Sequence, residues 1–506
     1  MFKLVLAPIA LGALAVAGFA PLQLYVLPWV SLTLLALLWL RCGTFKAAAM
    51  LGFSFGAGLF LCGTSWIYVS LHVYGGMASP IAALFTLLFC LLLACFPALA
   101  CALASSLHAG TAARLMLLFP ALWSIMEWMR TWVLTGFPWL AFGYSQVPES
   151  PLAGYAPILG VFGVSLVTAV VAGALAFAVQ AWPLSRTVAK PRRPPPAFMV
   201  GVGVATFLVI AGIALKTHAW TQPVAGDPLR VSLLQGNIPQ ELKWRPERAL
   251  ATLQTYLDLV RAADGRLILL PETALPLLHD NIAPEYLQAL ADHAIRNGGD
   301  LLFGVPERDA SGNYFNSVMS LGSAPAQTYR KHHLVPFGDY LPLRPVFGWV
   351  MSLLHIPMGD FSRGAAVQKP MQVAGQKVAV NICYEDVFGE EIIRQLPEAT
   401  ILANFTNDAW WGDSAASRQH AQIAQMRALE TGRPMLRVTN TGVTAIIDPQ
   451  GRVIASAPEF ITTALNGEVQ GYQGSTPYVV FGNYGLLALA LGMVLLPALI
   501  RAFRAR

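Results

Sequence analysis

The chain has 506 residues, of which 56% are hydrophobic and only 12% charged, with a mean hydropathy of +0.55. An ordinary soluble protein carries about 25% charged residues, so a wholly soluble protein is excluded and an integral membrane protein is indicated. The net charge of +6 does not mark a nucleic-acid binder, because residues 217–477 carry 20 Lys+Arg against 25 Asp+Glu, while the remainder carries 13 against 2 in short loops.

Apolar segments of about 17–25 residues can span a bilayer. From the N-terminus they occupy 4–20, 22–40, 47–69, 80–103, 115–134, 157–182 and 197–215, and an eighth runs 478–500. The first has the lysine, apolar core and small residues of a signal peptide. The second follows with almost no spacer, which favours an uncleaved helix. The pattern predicts a seven-helix transmembrane bundle over 1–216, a polar domain over 217–477, and an eighth transmembrane helix with a tail over 478–506. Eight spans put Lys3, Arg41, Lys46, Arg114, Arg186, Lys190, Arg192, Arg193, Arg501, Arg504 and Arg506 on one side, with only Arg130 and Lys216 off it. The positive-inside rule makes that side cytoplasmic. Both termini are then cytoplasmic and 217–477 lies outside, in the periplasm if the cell is Gram-negative.

Two outer loops are aromatic and almost uncharged. One carries Trp66, Tyr68, His72 and Tyr74, the other Phe137, Trp139 and Tyr144. They fit an interfacial aromatic belt. They equally fit a lipid-facing mouth shared with the outer domain, for which Trp139 and Tyr144 are candidates. Glu127 and Arg130, three residues apart, share a helix face and read as a structural pair inside the bundle. Residues 186–196, basic and proline-rich, read as an extended cytoplasmic spacer.

In the outer domain, apolar runs predict strands at 229–235, 266–270, 300–305, 378–382, 400–405, 435–439, 443–447, 452–455 and 462–469. Amphipathic stretches predict helices at 246–263, 283–296 and 417–431. The alternation indicates a layered α/β domain. Three polar residues lie beside the ends of apolar runs or in a distinct polar motif: Glu272 after RLILLP, Lys331 in YRKHHLVPFG, and Cys383 after VAVNI. Cys383 is the one cysteine of 217–477, so that region has no internal disulfide. A carboxylate, an ammonium and a thiol at one sheet edge would make a nucleophilic site. The acid takes the thiol proton, and the ammonium favours the thiolate and then the oxyanion. Spacing alone leaves separate surface and core roles open.

His332 and His333 alternate faces if the segment is a strand, and no CxxC or HExxH accompanies them, so no metal is assigned. Trp410 and Trp411 read either as pocket lining or as packing. Residues 345–361 are apolar yet too short to span; they read as core packing or as a lid dipping into the outer leaflet.

The PET at Glu272, RKHHLVPFGDY around Lys331 and NICYED around Cys383 resemble the three signatures of the nitrilase superfamily. Eight spans with such a domain inserted before the last resemble its membrane branch, the apolipoprotein N-acyltransferases, as do FPWLAFGYSQ, QGNIPQELKW and NFTNDAWWGDS. The resemblance implies an αββα sandwich inserted in the helical bundle, with Glu272 as general base, Lys331 as oxyanion stabiliser and Cys383 as nucleophile. Trp244, Tyr384 and Glu385 match supporting positions, and Asp339 stands where the family has glutamate. The implied reaction moves an sn-1 acyl chain from a phospholipid, phosphatidylethanolamine foremost, through a cysteine thioester. The acceptor is the α-amino group of the N-terminal diacylglyceryl-cysteine of apolipoproteins. No cofactor and no nucleic acid are implied, and the expected protein is a monomer in the inner membrane. Two rivals stay open: a membrane-tethered amidase or nitrilase acting on a small C–N substrate, and a transporter or lipid receptor with a decayed catalytic domain.

Overall fold

A computed structural model describes residues 5–182, 194–341 and 360–504. The chain forms two compact units. One comprises 1–65, 83–219 and 480–506; the other comprises 66–82 and 220–479.

The first unit is helical. Its elements are α1 (Leu6–Val16), α2 (Val26–Trp39), α3 (Phe45–Gly63), most of α4 (Ser79–Ser106), α5 (Phe119–Met129), α6 (Ala156–Ala181), α7 (Pro196–Lys216) and a C-terminal helix, Tyr484–Arg504. Among the described residues five helices are long and apolar enough to cross a membrane: α3, α4, α6 with the turn before it, α7 and the C-terminal helix. The runs at 4–20 and 22–40 give shorter helices of 11 and 14 residues.

The run at 115–134 is interrupted for a visible reason. Leu134, Thr135 and Gly136 take positive φ and turn the chain back. The returning loop then satisfies the buried charges of α5: Arg130 Nη1 donates to the Trp139 carbonyl at 2.8 Å, and the Phe142 amide donates to Glu127 Oε1 at 3.1 Å. Glu127 Oε1 also accepts from Trp123 Nε1 of its own helix at 3.0 Å.

Small residues set the close packing of α1 on α3. A Cβ on Gly12 would strike the Phe55 carbonyl, and one on Gly58 would strike that of Ile9. Membrane helices pack through such positions, because lipid supplies no hydrophobic drive to bring them together. In α7, Met199, Phe207 and Ile210 are 56%, 69% and 59% exposed. An apolar face of that extent is at home in hydrocarbon and not in water.

The second unit is built on two six-stranded sheets. Its strands are β1 (Thr221–Pro223), β2 (Leu229–Gln235), β3 (Leu267–Leu270), β4 (Asp300–Arg308), β5 (Tyr314–Gly322), β6 (Thr328–Arg330), β7 (Met371–Val373), β8 (Gln376–Ile382), β9 (Ile401–Thr406), β10 (Met435–Thr439), β11 (Ala445–Ile447), β12 (Val453–Ser456), β13 (Thr463–Val469) and β14 (Tyr472–Gly474). One sheet has the order β13-β2-β3-β4-β5-β6, the other β12-β11-β10-β9-β8-β7, and β1 pairs with β14. Alternate residues of both sheets, among them Val231, Leu269, Val380, Phe405 and Val438, meet in one buried cluster. The opposite face of the first sheet packs on α8 (Pro246–Ala262) and α9 (Pro284–Arg296), and that of the second on α10 (Ala415–Thr431). The layers therefore run helix, sheet, sheet, helix, the α/β sandwich expected from the sequence.

Both sheets have a parallel centre, β2-β3-β4 and β8-β9-β10. Strands buried on both faces read as unbroken apolar runs, which is why LILL and VAVNI stand out. Parallel neighbours also end on the same edge, where such sheets hold their polar sites. The proposed lid at 345–361 lies, but for its last two residues, outside the described residues. So does most of the spacer at 186–196.

Candidate active site

Glu272 lies just beyond β3, in a turn where Thr273 takes φ +45°. Its carboxylate is 7% exposed yet fully engaged. Oε1 accepts from Asn316 Nδ2 at 2.7 Å and from Lys331 Nζ at 3.4 Å; Oε2 accepts from the amide of Asn407 at 3.0 Å. Asn316 belongs to the same sheet as Glu272, and Asn407 follows β9 of the other. The carboxylate therefore ties the two sheets together at their shared edge.

Lys331 follows β6 and is 1% exposed. Its Nζ lies 2.8 Å from Asp339 Oδ2. Burial alone would lower its pKa, but the carboxylates of Asp339 and Glu272 outweigh that and hold it well above the ordinary lysine value. Lys331 is a permanent cation. The shorter side chain at 339 still reaches the lysine, and its Oδ2 also accepts from the Val335 amide at 2.8 Å, which closes the loop around it.

Cys383 opens the turn Cys383–Val387 that follows β8, with φ +52°. A non-glycine residue held there is strained, and such strain gathers where a side chain must be presented. Burial and the Glu272 carboxylate push the thiol pKa up; Lys331 and a hydrogen bond from Thr406 act against them. The three candidate residues are thus in electrostatic reach of one another. The thiol in the resting site is neutral, and a base beside it is needed to use it.

Glu385 explains how the lysine segment and the cysteine turn are held in register. Its Oε2 accepts from the Ile382 amide at 2.6 Å and from the Tyr329 hydroxyl at 3.0 Å. Its Oε1 accepts from the amides of His332 and His333 at 2.7 and 3.1 Å. Burial raises its pKa to about 7, against the pull of these backbone donors. The two histidines have partners of their own. His332 Nδ1 sits 2.9 Å from the Gly364 carbonyl and His333 Nδ1 3.1 Å from Glu391 Oε1. Tyr384 packs edge-on against Phe388 at 5.2 Å.

The sequence matches the family model described as the apolipoprotein N-acyltransferase N-terminal domain over residues 11–174, and the carbon-nitrogen hydrolase model over 230–478. An apolipoprotein N-acyltransferase of Nitrosomonas europaea is 50% identical over 506 residues, covering 100% of this chain and 98% of that one. Proteins of the same name from Methylococcus capsulatus and Chromobacterium violaceum are 47% and 44% identical over 96% and 99% of this chain, and over 93% and 95% of their own. The chain belongs to the apolipoprotein N-acyltransferase family.

His420 and Arg437, which belong to no motif, complete the surroundings of the thiol. Arg437 of β10 bridges Asp386 and Asp408, with Nη1 3.3 Å from Asp386 Oδ2 and Nη2 2.8 Å from Asp408 Oδ2. His420 of α10 lies between the same two carboxylates at 2.7 and 3.1 Å. All four are at most 1% exposed. Arg437 Nη1 also donates to Asn404, whose Nδ2 donates to the carbonyl of Cys383 at 3.0 Å. Burial would raise Asp408, yet Arg437 and His420 bring it down to about 2. Burial and Arg437 would lower His420, yet Asp386 and Asp408 raise it.

Trp410 and Trp411 lie in the turn Asp408–Trp411, against the first aromatic loop. Trp66 meets Trp411 with ring centroids 5.2 Å apart, Tyr74 meets Trp410 at 6.3 Å, and Ser70 Oγ donates to the Trp410 carbonyl at 2.9 Å. That loop is part of the same compact unit as the two sheets. Trp244 is half-buried beside Lys243. Trp139 and Tyr144 are each 1% exposed in the core of the helical unit.

Proposed function

We propose that the protein transfers an sn-1 acyl chain from a phospholipid, phosphatidylethanolamine foremost, to the α-amino group of the N-terminal diacylglyceryl-cysteine of apolipoproteins. What supports this reading is the contact of the buried Glu272 and Lys331 side chains, 3.4 Å apart, with the half-buried Cys383 at the same sheet edge, in a chain whose other half is lipid-compatible helix. In the first half-reaction Glu272 takes the Cys383 proton and sulfur attacks the ester carbonyl. Lys331 stabilises the tetrahedral oxyanion. The C–O bond breaks, the proton passes to the departing lysophospholipid oxygen, and a thioester remains. In the second, the acceptor amine attacks the thioester and gives its proton to Glu272. The C–S bond breaks, the thiol is re-protonated, and an amide leaves. Ping-pong kinetics follow from the shared thioester.

The same reading extends to topology. Eight membrane segments divide the chain as 1–216, 217–477 and 478–506, with both termini in the cytoplasm and the sandwich in the periplasm. The charge asymmetry between the short basic loops and the acidic 217–477 supports that orientation. The working unit is a monomer.

Cys383→Ala and Cys383→Ser test the chemistry. Both are expected to abolish N-acylation of a diacylglyceryl peptide in phospholipid vesicles. A variant that still yields the N-acyl product removes Cys383 as nucleophile. Release of free fatty acid by the unmodified protein in place of acylated peptide would favour a hydrolase.

A further inference from the structure

The segment that carries Trp244 brings a second buried lysine to the site. Lys243 ends the helical turn Gln240–Lys243 and is 2% exposed. The segment is pinned to the site edge by Gln240, whose Oε1 accepts from Asn407 Nδ2 at 2.8 Å. Lys243 Nζ donates to the main-chain carbonyl of Glu272 at 3.1 Å. An ammonium has three N–H donors and is buried at a cost unless acceptors or a counter-charge meet them. Lys331 has two carboxylates for this. Among the described residues no carboxylate lies at ion-pair distance from Lys243, and the Glu272 carbonyl is its one hydrogen-bond partner. Asn407, which holds that segment through Gln240, also donates its amide to the Glu272 carboxylate at 3.0 Å, so Lys243 is fixed beside the general base.

We propose that Lys243 is a second cation of the acyl-transfer centre, adding its charge to that of Lys331 where the thiolate and then the tetrahedral oxyanion form. This rests on Cys383 being the acylated thiol. A donor needed only to anchor a loop has no reason to carry a buried charge with no carboxylate in contact. A cation beside the path along which negative charge moves, from Glu272 to sulfur and then to the oxyanion, does, since interactions that strengthen towards the transition state are the ones that accelerate it.

The two lysines differ in permanence. Burial lowers Lys243 to about 8, while Glu272 and Cys383 act to raise it. The charged and titratable groups around it are Glu272 beyond β3 and Cys383 beyond β8, with the Lys331–Asp339 pair behind Glu272. Glu241 and Arg245 flank it in its own segment. Its contribution is therefore present below about pH 8 and fades above it, whereas that of Lys331 persists.

The test is the single-turnover rate of thioester formation on Cys383 in the full-length protein with phosphatidylethanolamine vesicles. The acceptor is left out, so that its amine, which titrates at about 7.7–8.0, does not enter. Lys243→Met is expected to slow acylation about 10- to 100-fold, less than the roughly 100- to 1000-fold typical of a lost oxyanion-hole donor. Lys243→Arg keeps the charge, and the ratio of its rate to the unmodified rate is expected to rise through about pH 8. Unmodified acylation by Lys243→Met overturns the proposal. So does a constant Arg-to-unmodified ratio across pH 8, which decides the matter if the Met variant does not fold. Absence of any thioester on Cys383 in the unmodified protein refutes the acyltransferase reading instead.

Discussion

Glu385 shows how much of this site depends on acceptors placed against main-chain donors. Both of its oxygens receive hydrogen bonds, three of them from backbone amides on the two segments that carry Lys331 and Cys383. Glu385→Gln turns one acceptor into a donor facing donors. Leaving a buried amide unsatisfied costs about 1–3 kcal/mol, and the register between ammonium and thiol loosens with it. The expected result is a lower melting temperature together with a loss of acyl transfer of at least about tenfold. Wild-type activity in Glu385→Gln would show that the clamp is dispensable. At position 339 the relevant quantity is the lysine's charge. Asp339→Asn removes the closest counter-charge of Lys331, so the lysine pKa falls and acylation is expected to gain an alkaline limb beyond the one that Lys243 gives the unmodified protein. The check is a rate–pH profile on a Lys243→Arg background, where the other titrating lysine is silent.

The elements around the cysteine turn are tied by charge as well as by apolar packing. Arg437 and His420 join β10 and α10 to the turns after β8 and β9, entirely out of water. Removing one member of a buried ionic cluster costs about 3–5 kcal/mol because the others are left uncompensated. Arg437→Met is accordingly expected to destabilise the unit and to slow acylation through the Asn404–Cys383 carbonyl link, while Arg437→Lys recovers part of both.

The cluster also predicts a pH dependence of stability. His420 has a raised pKa in the folded protein, so its stabilisation is full below its unfolded value of about 6.5 and is lost as pH rises through the folded value. Glu385, raised to about 7, binds a proton more readily folded than unfolded and acts in the same direction between about pH 4.5 and 7. Asp408, lowered to about 2, works the other way, adding stability above about pH 3.8 that disappears towards pH 2. Thermal unfolding of the full-length protein is expected at a higher temperature at pH 6 than at pH 8, with the difference reduced in His420→Gln. An equal or opposite difference contradicts these assignments.

At the scale of the whole molecule, the sequence was most legible where one property dominates a run of residues. Strand β3 is a continuous apolar stretch and β2, β8, β9 and β10 are mainly apolar, and their motifs could be read from the residues beside them. Strands β5, β6 and β7 went unmarked, because YFNSVMSLG mixes polar and apolar residues and the other two are three residues long. The helical half was legible as apolar but not as geometry. The turn-back at Leu134–Gly136 and the shortness of α1 and α2 depend on which partners the chain meets. Asn316, His420 and Arg437 were invisible as site residues, since each comes from a separate element with no spacing rule to connect them. Lys243 lay inside a quoted motif yet gave no sign of its burial. The first aromatic loop packs Trp66 and Tyr74 on the turn at Trp410 and Trp411, a contact that no spacing in the sequence announces. Trp66→Ala is expected to loosen that turn and to weaken use of the lipid donor without unfolding the sandwich, seen as a rise in the apparent KM for phospholipid at a retained melting temperature.

The most direct test of the central claim is peptide mass spectrometry of the full-length protein taken from phospholipid membranes without acceptor. The account predicts a fatty acyl group on the peptide containing Cys383, released by neutral hydroxylamine as a thioester is, and transferred to the α-amine of a diacylglyceryl-cysteine peptide when that is added. An N-acylated acceptor formed with no acyl group ever detectable on Cys383, or formed equally well by Cys383→Ala, would contradict it.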